Sequence, residues 1–230
     1  MMNICYCLDK NYLKYTIKSM KTFQKFNKDV KFYFFCNDDI PILRAFGKVI
    51  KYDKDLLKDF DSSLCGYKHV STACFLRFLI PKYLDELDRV LYVDGDTLCQ
   101  KNINTLYNLD FEDKYYLAGC RGAVISDKQA KELNLPYYIL SGMLLFNIKK
   151  MNEEDYFQQI LDKWRECISL PYIFSGDETI INYVFHDRIK LVPEKFNYCY
   201  KRNYGDRAIP YNDVAILHIP GANKNAFWKF

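Results

Sequence analysis

The sequence lacks the glycine-rich loops with which many nucleotide-binding proteins hold phosphates. Neither G-x-x-x-x-G-K-[ST] nor G-x-G-x-x-G occurs in its 230 residues, which excludes a P-loop and a dinucleotide-binding fingerprint. C-x-x-C pairs are absent, and uninterrupted apolar runs are short, as at Met143–Phe146. The N-terminal MMNICYCLDKNY has no basic segment followed by a long apolar one. We therefore expect no membrane-spanning helix and no secretory signal.

Strong charge of either sign is also missing. The 33 basic and 29 acidic residues leave a net charge of +4, which is too mild to indicate nucleic acid as a partner.

Cysteine, in contrast, is plentiful: nine are present, an odd number, and several stand inside apolar runs such as FYFFC. This pattern favours reduced thiols that pack as small hydrophobic groups in a cytoplasmic protein.

The composition is that of one folded domain, with 50% hydrophobic and 17% aromatic residues and a length that fits a single core. Apolar patterning predicts alternating strands and helices, as in an α/β domain with a mainly parallel sheet. The predicted strands are Asn3–Leu8, Val30–Cys36, Val49–Tyr52, Arg89–Val93, Tyr138–Ile148 and Val214–Ile219. The predicted helices are Tyr12–Phe26, Ser71–Ile80 (with Pro81 close to its end), Asn152–Cys167 and Asp177–Phe185.

The sharpest chemical signal is Asp94-Gly95-Asp96, directly after the apolar strand Arg89–Val93. Ligands of open α/β sheets bind beyond the carboxyl ends of the strands. Residues i and i+2 of an extended chain point the same way, so the two carboxylates converge, as a divalent cation requires. Gly95 leaves room for a ligand to approach the backbone. An acidic turn without a ligand is the competing interpretation.

A second signal follows the last predicted strand, in His218-Ile-Pro-Gly221-Ala-Asn-Lys224. Neutral histidine is a common metal ligand, and lysine is a suitable point charge for a phosphate. Gly221 between them allows the backbone to approach a ligand closely. Taken alone, His218 is better explained as a hydrogen-bonded histidine at a strand end.

Three weaker signals accompany these two. Gly176-Asp177-Glu178 marks the start of a helix. Ser141-Gly142 places a glycine inside an apolar strand. Asp9-Lys10-Asn11-Tyr12 forms a polar turn after the first strand. Together, the five signals indicate a metal site that holds a nucleotide diphosphate.

The whole ordered series resembles glycosyltransferase family 8, retaining enzymes that include glycogenin and bacterial lipooligosaccharide galactosyltransferases. The resemblance extends from Asn3 to about Trp228. It implies a GT-A fold, Rossmann-like, with a mainly parallel central sheet flanked by helices in a single domain. Residues 1–100 would form the nucleotide-binding half, and residues 101–230 the acceptor and donor-sugar half with a C-terminal metal-ligand loop.

The resemblance also implies roles for individual residues. Asp94, Asp96 and His218 would bind Mn²⁺, with Mg²⁺ as the alternative, and Asp177 and Glu178 would be catalytic. The donor-binding residues would be Asp9, Asn11, Tyr12, Arg77, Asp94, Gly95, Asp96, Ser141, Gly142, Gly221 and Lys224. Asn147 and Asn182 complete two further family segments.

The implied reaction transfers a hexose from a UDP-sugar, UDP-glucose or UDP-galactose before others, to a glycan, lipid-linked or protein acceptor. Retention would follow a front-face path rather than a double displacement. We expect no nucleic-acid partner and a cytoplasmic location. Peripheral contact with the inner face of a membrane, the oligomeric state and the acceptor stay open.

Three departures from the family pattern stand out. Leu140 replaces an asparagine that contacts the donor sugar, Glu178 replaces a glutamine, and the chain has KNAFW where the family has K-P-W. Leu140 leaves the sugar specificity open. Glu178 brings a carboxylate to a position where the family offers only an amide oxygen.

Three other functions compete with the transferase. Asp94-Gly-Asp-Thr-Leu resembles the D-x-D-x-T motif of haloacid-dehalogenase phosphatases, but Thr97 is one position early and the motif lies far from the N-terminus. A nucleotidyltransferase of similar fold would carry a glycine-rich basic loop where Leu8–Tyr12 stands. A degenerate transferase acting as a UDP-sugar-binding scaffold is the non-catalytic alternative, which Leu140 favours and the intact metal ligands oppose.

Overall fold

Strands and short helices alternate along the chain in this computed structural model, which describes residues 1–61, 72–169 and 176–230. The strands are β1 (Met2–Cys7), β2 (Val30–Phe35), β3 (Gly47–Ile50), β4 (Arg89–Val93), β5 (Thr97–Cys99), β6 (Leu117–Arg121), β7 (Ile139–Asn147), β8 (Ile189–Val192), β9 (Tyr198–Cys199) and β10 (Ile216–His218). The helices are α1 (Leu13–Phe26), α2 (Ile80–Tyr83), α3 (Asn104–Tyr107), α4 (Val124–Glu132), α5 (Ile148–Glu153), α6 (Tyr156–Ser169) and α7 (Asp177–Phe185).

A seven-stranded mixed sheet in the order β3-β2-β1-β4-β7-β6-β8 forms the centre of the molecule. Neighbours pair in parallel except at β7, which runs antiparallel to both β4 and β6. Apolar side chains cover both faces, and Val90 to Val93 are all buried. This continuous apolar pattern is what a strand covered on both faces requires, and it confirms the predicted mainly parallel α/β sheet.

A second sheet of three strands, in the order β5-β10-β9, lies beyond the end of β4. Strand β5 pairs antiparallel with β10, so that Thr97 is opposite His218. Strand β9 pairs parallel with β10 and places Cys199 opposite the same histidine. The small sheet therefore brings the late His218 back to the loop that follows β4.

Helix α1 is amphipathic and packs against the sheet with its apolar side. Met20 and Phe23 are buried among the side chains of one core cluster, and its four lysines lie on other parts of the helix surface. The helix ends where the Asn27 backbone N–H donates to Phe23 O at 3.0 Å. Burial of two such side chains contributes about 3–6 kcal/mol, which far exceeds the intrinsic helix propensity of this sequence.

Two predicted helices differ from those observed. The segment predicted over residues 71–80 is a 3-10 helix at Thr72–Leu79, and Pro81 opens the first turn of α2 instead of closing the earlier helix. Proline fits that position because its missing N–H would have no partner there. Ser71 and Cys65 lie outside the described residues.

The helix predicted at Asn152–Cys167 is interrupted. Asp155 has φ +47°, a left-handed conformation that ends α5 before α6 begins at Tyr156. Asp155 lies inside the predicted helix but forms the break between two observed helices. Strands β5, β6, β8 and β9 were not predicted, since each is short and carries little periodic signal. Among the described residues, no helix is long and apolar enough to cross a membrane.

Candidate active site

Asp94, Asp96 and His218, the three predicted metal ligands, lie together where β4 ends. His218 Nε2 is 3.6 Å from Asp94 Oδ2 and 3.3 Å from Asp96 Oδ1. One ligand atom from each of the three residues fits within a mutual distance of 4.8 Å. Two residues of one loop and a third residue from a strand far away in the sequence thus form one cluster.

Local hydrogen bonds fix the acidic loop. The Asp94 N–H donates to Gly142 O at 2.9 Å, which extends the pairing of β4 with β7 by one residue. Asp94 O then accepts from the Thr97 hydroxyl at 2.8 Å and from the Thr97 N–H at 3.2 Å. The chain therefore turns tightly at Gly95 and enters β5, with both carboxylates on the side of β10.

His218 is buried and held on its other ring nitrogen. Its Nδ1 lies 3.1 Å from Asn197 Oδ1 and 3.7 Å from Cys199 Sγ. Burial by itself lowers the pKa of His218, but nearby Cys199 and Asp96 raise it well above its ordinary value. A cation bound in the cluster would instead favour neutral His218, because a metal ligand must offer a free electron pair.

The donor set fits a hard or borderline divalent cation. Carboxylate oxygens suit Mg²⁺ and Mn²⁺, and an imidazole nitrogen shifts the preference toward transition metals. Asp96 and His218 are buried, and Asp94 is partly exposed, so a ligand from solvent can reach the site on the Asp94 side. The three residues are therefore suited to hold Mn²⁺ or Mg²⁺.

Arg77 connects this cluster to helix α7. Its guanidinium lies 3.3 Å from Asp94 Oδ1 and 3.0 Å from Asp177 Oδ2, and its Nη1 donates to Ser141 O at 2.6 Å. It also covers the ring of Tyr92 at 4.6 Å, and the Tyr92 hydroxyl donates to Asp94. Burial tends to lower the pKa of Arg77, but the charge of Asp177 outweighs it and the pKa rises.

Asp177 is buried beside Arg77 at the first position of α7. Burial raises the pKa of this carboxyl, and the charge of Arg77 opposes the rise. Its Oδ2 atom has no hydrogen bond to any described residue, so the 3.0 Å contact with Arg77 is an ion pair without hydrogen-bond alignment. A buried carboxylate oxygen with unused capacity is suited to accept from a substrate hydroxyl.

Glu178 follows in the same helical turn and is half-buried. Its Oε2 accepts from the Ser141 N–H at 2.9 Å. Burial raises its pKa from 4.5 to about 7, against the lowering effect of that hydrogen bond, and nearby Asp177 adds to the rise. Glu178 is therefore poised to change protonation near neutral pH.

Asn182 fastens α7 to β7. Its Oδ1 accepts from the Ile139 N–H at 2.7 Å, while its Nδ2 donates to Ile139 O at 2.9 Å and to Glu178 O at 2.8 Å. The amide thus replaces a missing strand neighbour for Ile139. Asn147, in contrast, caps α5 at the far end of β7, away from the cluster.

Tyr12 and Lys224 form a second part of the site. Lys224 Nζ lies 4.1 Å from the centre of the Tyr12 ring and donates to its hydroxyl. Asp9 caps the short turn before Tyr12 by accepting from the N–H groups of Asn11 at 2.8 Å and Tyr12 at 3.1 Å. The structure thus gives Asp9 a local role, while Asn11 is exposed.

Gly95 and Gly221 are required for different physical reasons. A Cβ atom at Gly95 would lie 2.6 Å from Thr16 Oγ1 and 3.3 Å from the Tyr12 ring, so α1 packs against the space that was expected to admit a ligand. Gly221 has φ +63° and open space around it. It is needed for its backbone conformation, which turns the chain after β10 toward Lys224.

Sequence reasoning missed the residues that support the cluster: Tyr92, Asn197 and Cys199. Tyr92 looked like one more apolar strand residue. Cys199 looked like a packing thiol, yet its sulfur touches the His218 ring. Only the parallel pairing of β9 with β10 brings Asn197 and Cys199 to His218, and no local pattern announces a pairing between such short strands.

The sheet order and the carboxylate–histidine cluster define a GT-A domain of the glycosyltransferase class. The model of glycosyl transferase family 8 matches residues 3–229, and the chain belongs to that family.

A putative glycosyltransferase of Haemophilus influenzae is 29% identical over an alignment of 182 positions that covers 74% of this chain and 53% of the relative. The lipopolysaccharide 1,3-galactosyltransferase of Salmonella typhimurium is 27% identical over an alignment of 246 positions, gaps included, that covers 96% of this chain and 72% of the relative. The chain thus spans about half the length of the first relative. The galactosyltransferase LgtC, solved with donor and acceptor sugar analogues, superposes with a TM-score of 0.83 at 18% identity, covering 99% of this chain and 94% of LgtC.

Proposed function

We propose that this chain is a retaining hexosyltransferase. It moves a hexose from a UDP-sugar, UDP-glucose or UDP-galactose before others, to a hydroxyl group of a glycan, lipid-linked or protein acceptor. The observation that carries the proposal is the joining of two half-sites. The Asp94–Asp96–His218 cluster is linked through Arg77 to the carboxylate of Asp177.

The first half-site is suited to a metal-bound diphosphate. Asp94, Asp96 and His218 would hold Mn²⁺, or Mg²⁺, which supplies Lewis-acid stabilisation of the leaving diphosphate when it is bound. Lys224 lies next to Tyr12, and in the proposal it moves from the Tyr12 ring to add positive charge at the phosphates. Tyr12 then offers its ring face to the uracil base.

The second half-site would orient the sugar. Asp177 Oδ2 is buried and, among the described residues, forms an ion pair with Arg77 but no hydrogen bond, so it can accept a hydrogen bond from a sugar hydroxyl. Arg77 holds that carboxylate and Asp94 in fixed positions on either side. Because both groups are fixed before substrate arrives, little reorganisation is needed at the moment of reaction.

Glu178 would stabilise the anomeric carbon as positive charge develops there. In the front-face path, the bond from the acceptor oxygen to this carbon forms on the side from which the diphosphate oxygen departs. The alternative is a double displacement, in which a carboxylate forms a glycosyl ester before the acceptor attacks. We favour the front-face path because the Glu178 carboxylate already accepts from the Ser141 N–H, which reduces its nucleophilicity.

The relatives support the substrate classes. The Salmonella relative is named a lipopolysaccharide galactosyltransferase, which supports a hexose donor and a lipid-linked glycan acceptor for this chain. A cytoplasmic location agrees with the reduced and mostly buried thiols of the described cysteines. We further propose that residues 1–100 carry most nucleotide contacts and residues 101–230 those of the sugar and acceptor.

The test is metal-dependent UDP release from a panel of UDP-sugars. We expect UDP release from UDP-glucose or UDP-galactose with Mn²⁺, none with excess chelator, and at least a hundredfold loss in Asp96→Asn. Asp213→Asn, which changes an exposed aspartate outside the site, is the matched control. Failure of every UDP-sugar to release UDP would contradict the transferase proposal.

Thermal denaturation, product analysis and mass spectrometry together separate the alternatives. A scaffold would be stabilised by UDP plus Mn²⁺ but would turn over no donor. A nucleotidyltransferase would release pyrophosphate from a nucleoside triphosphate and a sugar phosphate. A glycosyl adduct on Glu178, detected by mass spectrometry, would replace the front-face path by double displacement.

A further inference from the structure

The His218 ring has two nitrogens, and only one of them faces the acidic loop. Nε2 lies 3.3 Å from Asp96 Oδ1, while Nδ1 faces Asn197 and Cys199. A neutral imidazole carries its single proton on one nitrogen and a free electron pair on the other. Whatever fixes the proton therefore decides whether His218 can be a metal ligand.

Asn197 can fix that proton because its nearest atom to the ring is an oxygen. Asn197 Oδ1 stands 3.1 Å from His218 Nδ1, and an amide oxygen only accepts. The other half of the amide is engaged too: Nδ2 makes a long 3.5 Å contact to Leu140 O, a carbonyl that requires a donor. This second contact sets the orientation of the amide, with its oxygen toward the ring.

Asn197 is also well placed to act on the ring without being displaced. It is fully buried, and it immediately precedes β9, which pairs with β10 at His218. On another side of the ring, Gly142 leaves just the space the imidazole occupies, since a Cβ atom there would lie 2.2 Å from Cε1. The ring is thus confined between the backbone of Gly142 and the amide of Asn197.

We infer that Asn197 is a positioning residue for metal binding: it holds the proton of neutral His218 on Nδ1 and directs the Nε2 electron pair at Asp94 and Asp96. This inference rests on the proposed metal site. Removal of a partner that orients a ligating histidine commonly weakens metal affinity about 10–100-fold.

The experiment measures Mn²⁺ affinity from the electron paramagnetic resonance signal of free Mn²⁺ in titrations of the whole chain. We expect Asn197→Ala to raise the dissociation constant about 10–100-fold. Asn197→Asp should restore tight binding, because its carboxylate also accepts from Nδ1–H. Asn27→Ala is the matched control: Asn27 is buried and bonds to Phe23 O, the Ile103 N–H and Cys99 Sγ, none of which belongs to a proposed metal ligand.

The outcomes separate this inference from the proposed function. If wild type and Asp96→Asn both fail to bind Mn²⁺, the metal site and the role of Asn197 fall together. If wild type binds but Asn197→Ala binds equally well, only the role of Asn197 is overturned. If Asn197→Asp binds as weakly as Asn197→Ala, or if Asn27→Ala also loses Mn²⁺ affinity, general destabilisation replaces control of the tautomer as the explanation.

Discussion

The backbone of Gly142 passes so close to His218 that a Cβ atom added there would lie 2.2 Å from the imidazole Cε1 and 2.6 Å from Nδ1. Non-bonded atoms do not approach each other this closely, so either the strand or the ring must move. Strand β7 is fixed between β4 and β6, and the ring is the part that yields. Glycine at this position therefore provides the room in which the histidine stands.

Gly142→Ala should consequently displace His218 and weaken Mn²⁺ binding by at least tenfold, about 1.4 kcal/mol. Titration with Mn²⁺ measures the effect. Gly119→Ala is the control on the neighbouring strand β6: its new Cβ would meet the end of the Ile139 side chain. That variant should lose stability and keep its metal affinity; unchanged affinity in Gly142→Ala would contradict the steric argument.

Glu178→Gln should alter how stability depends on pH. The native pKa of Glu178 is about 7, against an ordinary 4.5, so between these values the folded state binds a proton that the unfolded state releases. The wild-type free energy of unfolding should therefore fall, relative to the variant, as pH rises from 4.5 to 7, by about 3 kcal/mol. Urea unfolding with chelator across this range measures the difference; parallel curves for the two proteins would disprove the raised pKa.

Arg77→Ala should be strongly destabilising. It removes the cation between two acidic groups, Asp94 and Asp177, and the second of them is buried. Loss of one partner from a buried pair costs about 3–5 kcal/mol, which chemical unfolding detects directly. Arg44→Ala provides the comparison, because its ion pair with Asp39 is largely exposed and is worth at most about 1 kcal/mol. Equal losses in the two variants would show that Arg77 is not held as described.

Lys224→Met should weaken UDP binding while leaving the fold intact. The variant keeps an unbranched side chain over Tyr12 but removes the charge proposed to meet the phosphates. We expect the dissociation constant for UDP with Mn²⁺ to rise about tenfold by calorimetry, corresponding to one charge-assisted hydrogen bond. Lys229→Met, which changes an exposed lysine, is the control and should bind UDP as tightly as the wild type. Wild-type UDP affinity in Lys224→Met would contradict the proposed phosphate contact.

Local sequence patterns predicted the elements that are long or strongly apolar. Arg89–Val93 and Asp177–Phe185 have the observed bounds, because apolar runs and a helix start with acidic residues carry their own signal. Strands of two or three residues do not. β5, β9 and β10 form through pairing with one another, and of these only β10 was predicted, within a longer apolar run.

The same distinction holds in the candidate site. Asp94, Asp96 and His218 were identifiable because charged or ligating side chains directly after apolar strands are conspicuous. The hydrogen bonds of Asn197 and Asn182 were not, because each amide acts on a residue far away in the chain. A buried asparagine has the same appearance in a sequence as one in a surface turn.

The small sheet has a consequence for how the site comes into being. Asp96 and His218 are separated by more than half of the chain, and the pairing of β5 with β10 closes that interval. A cation shared by the two residues would act as a reversible cross-link, whose benefit grows with the length of the loop that it closes. Neither the first hundred residues nor the remainder contains the complete ligand set, so a chain divided between them would recover it only by reassembly.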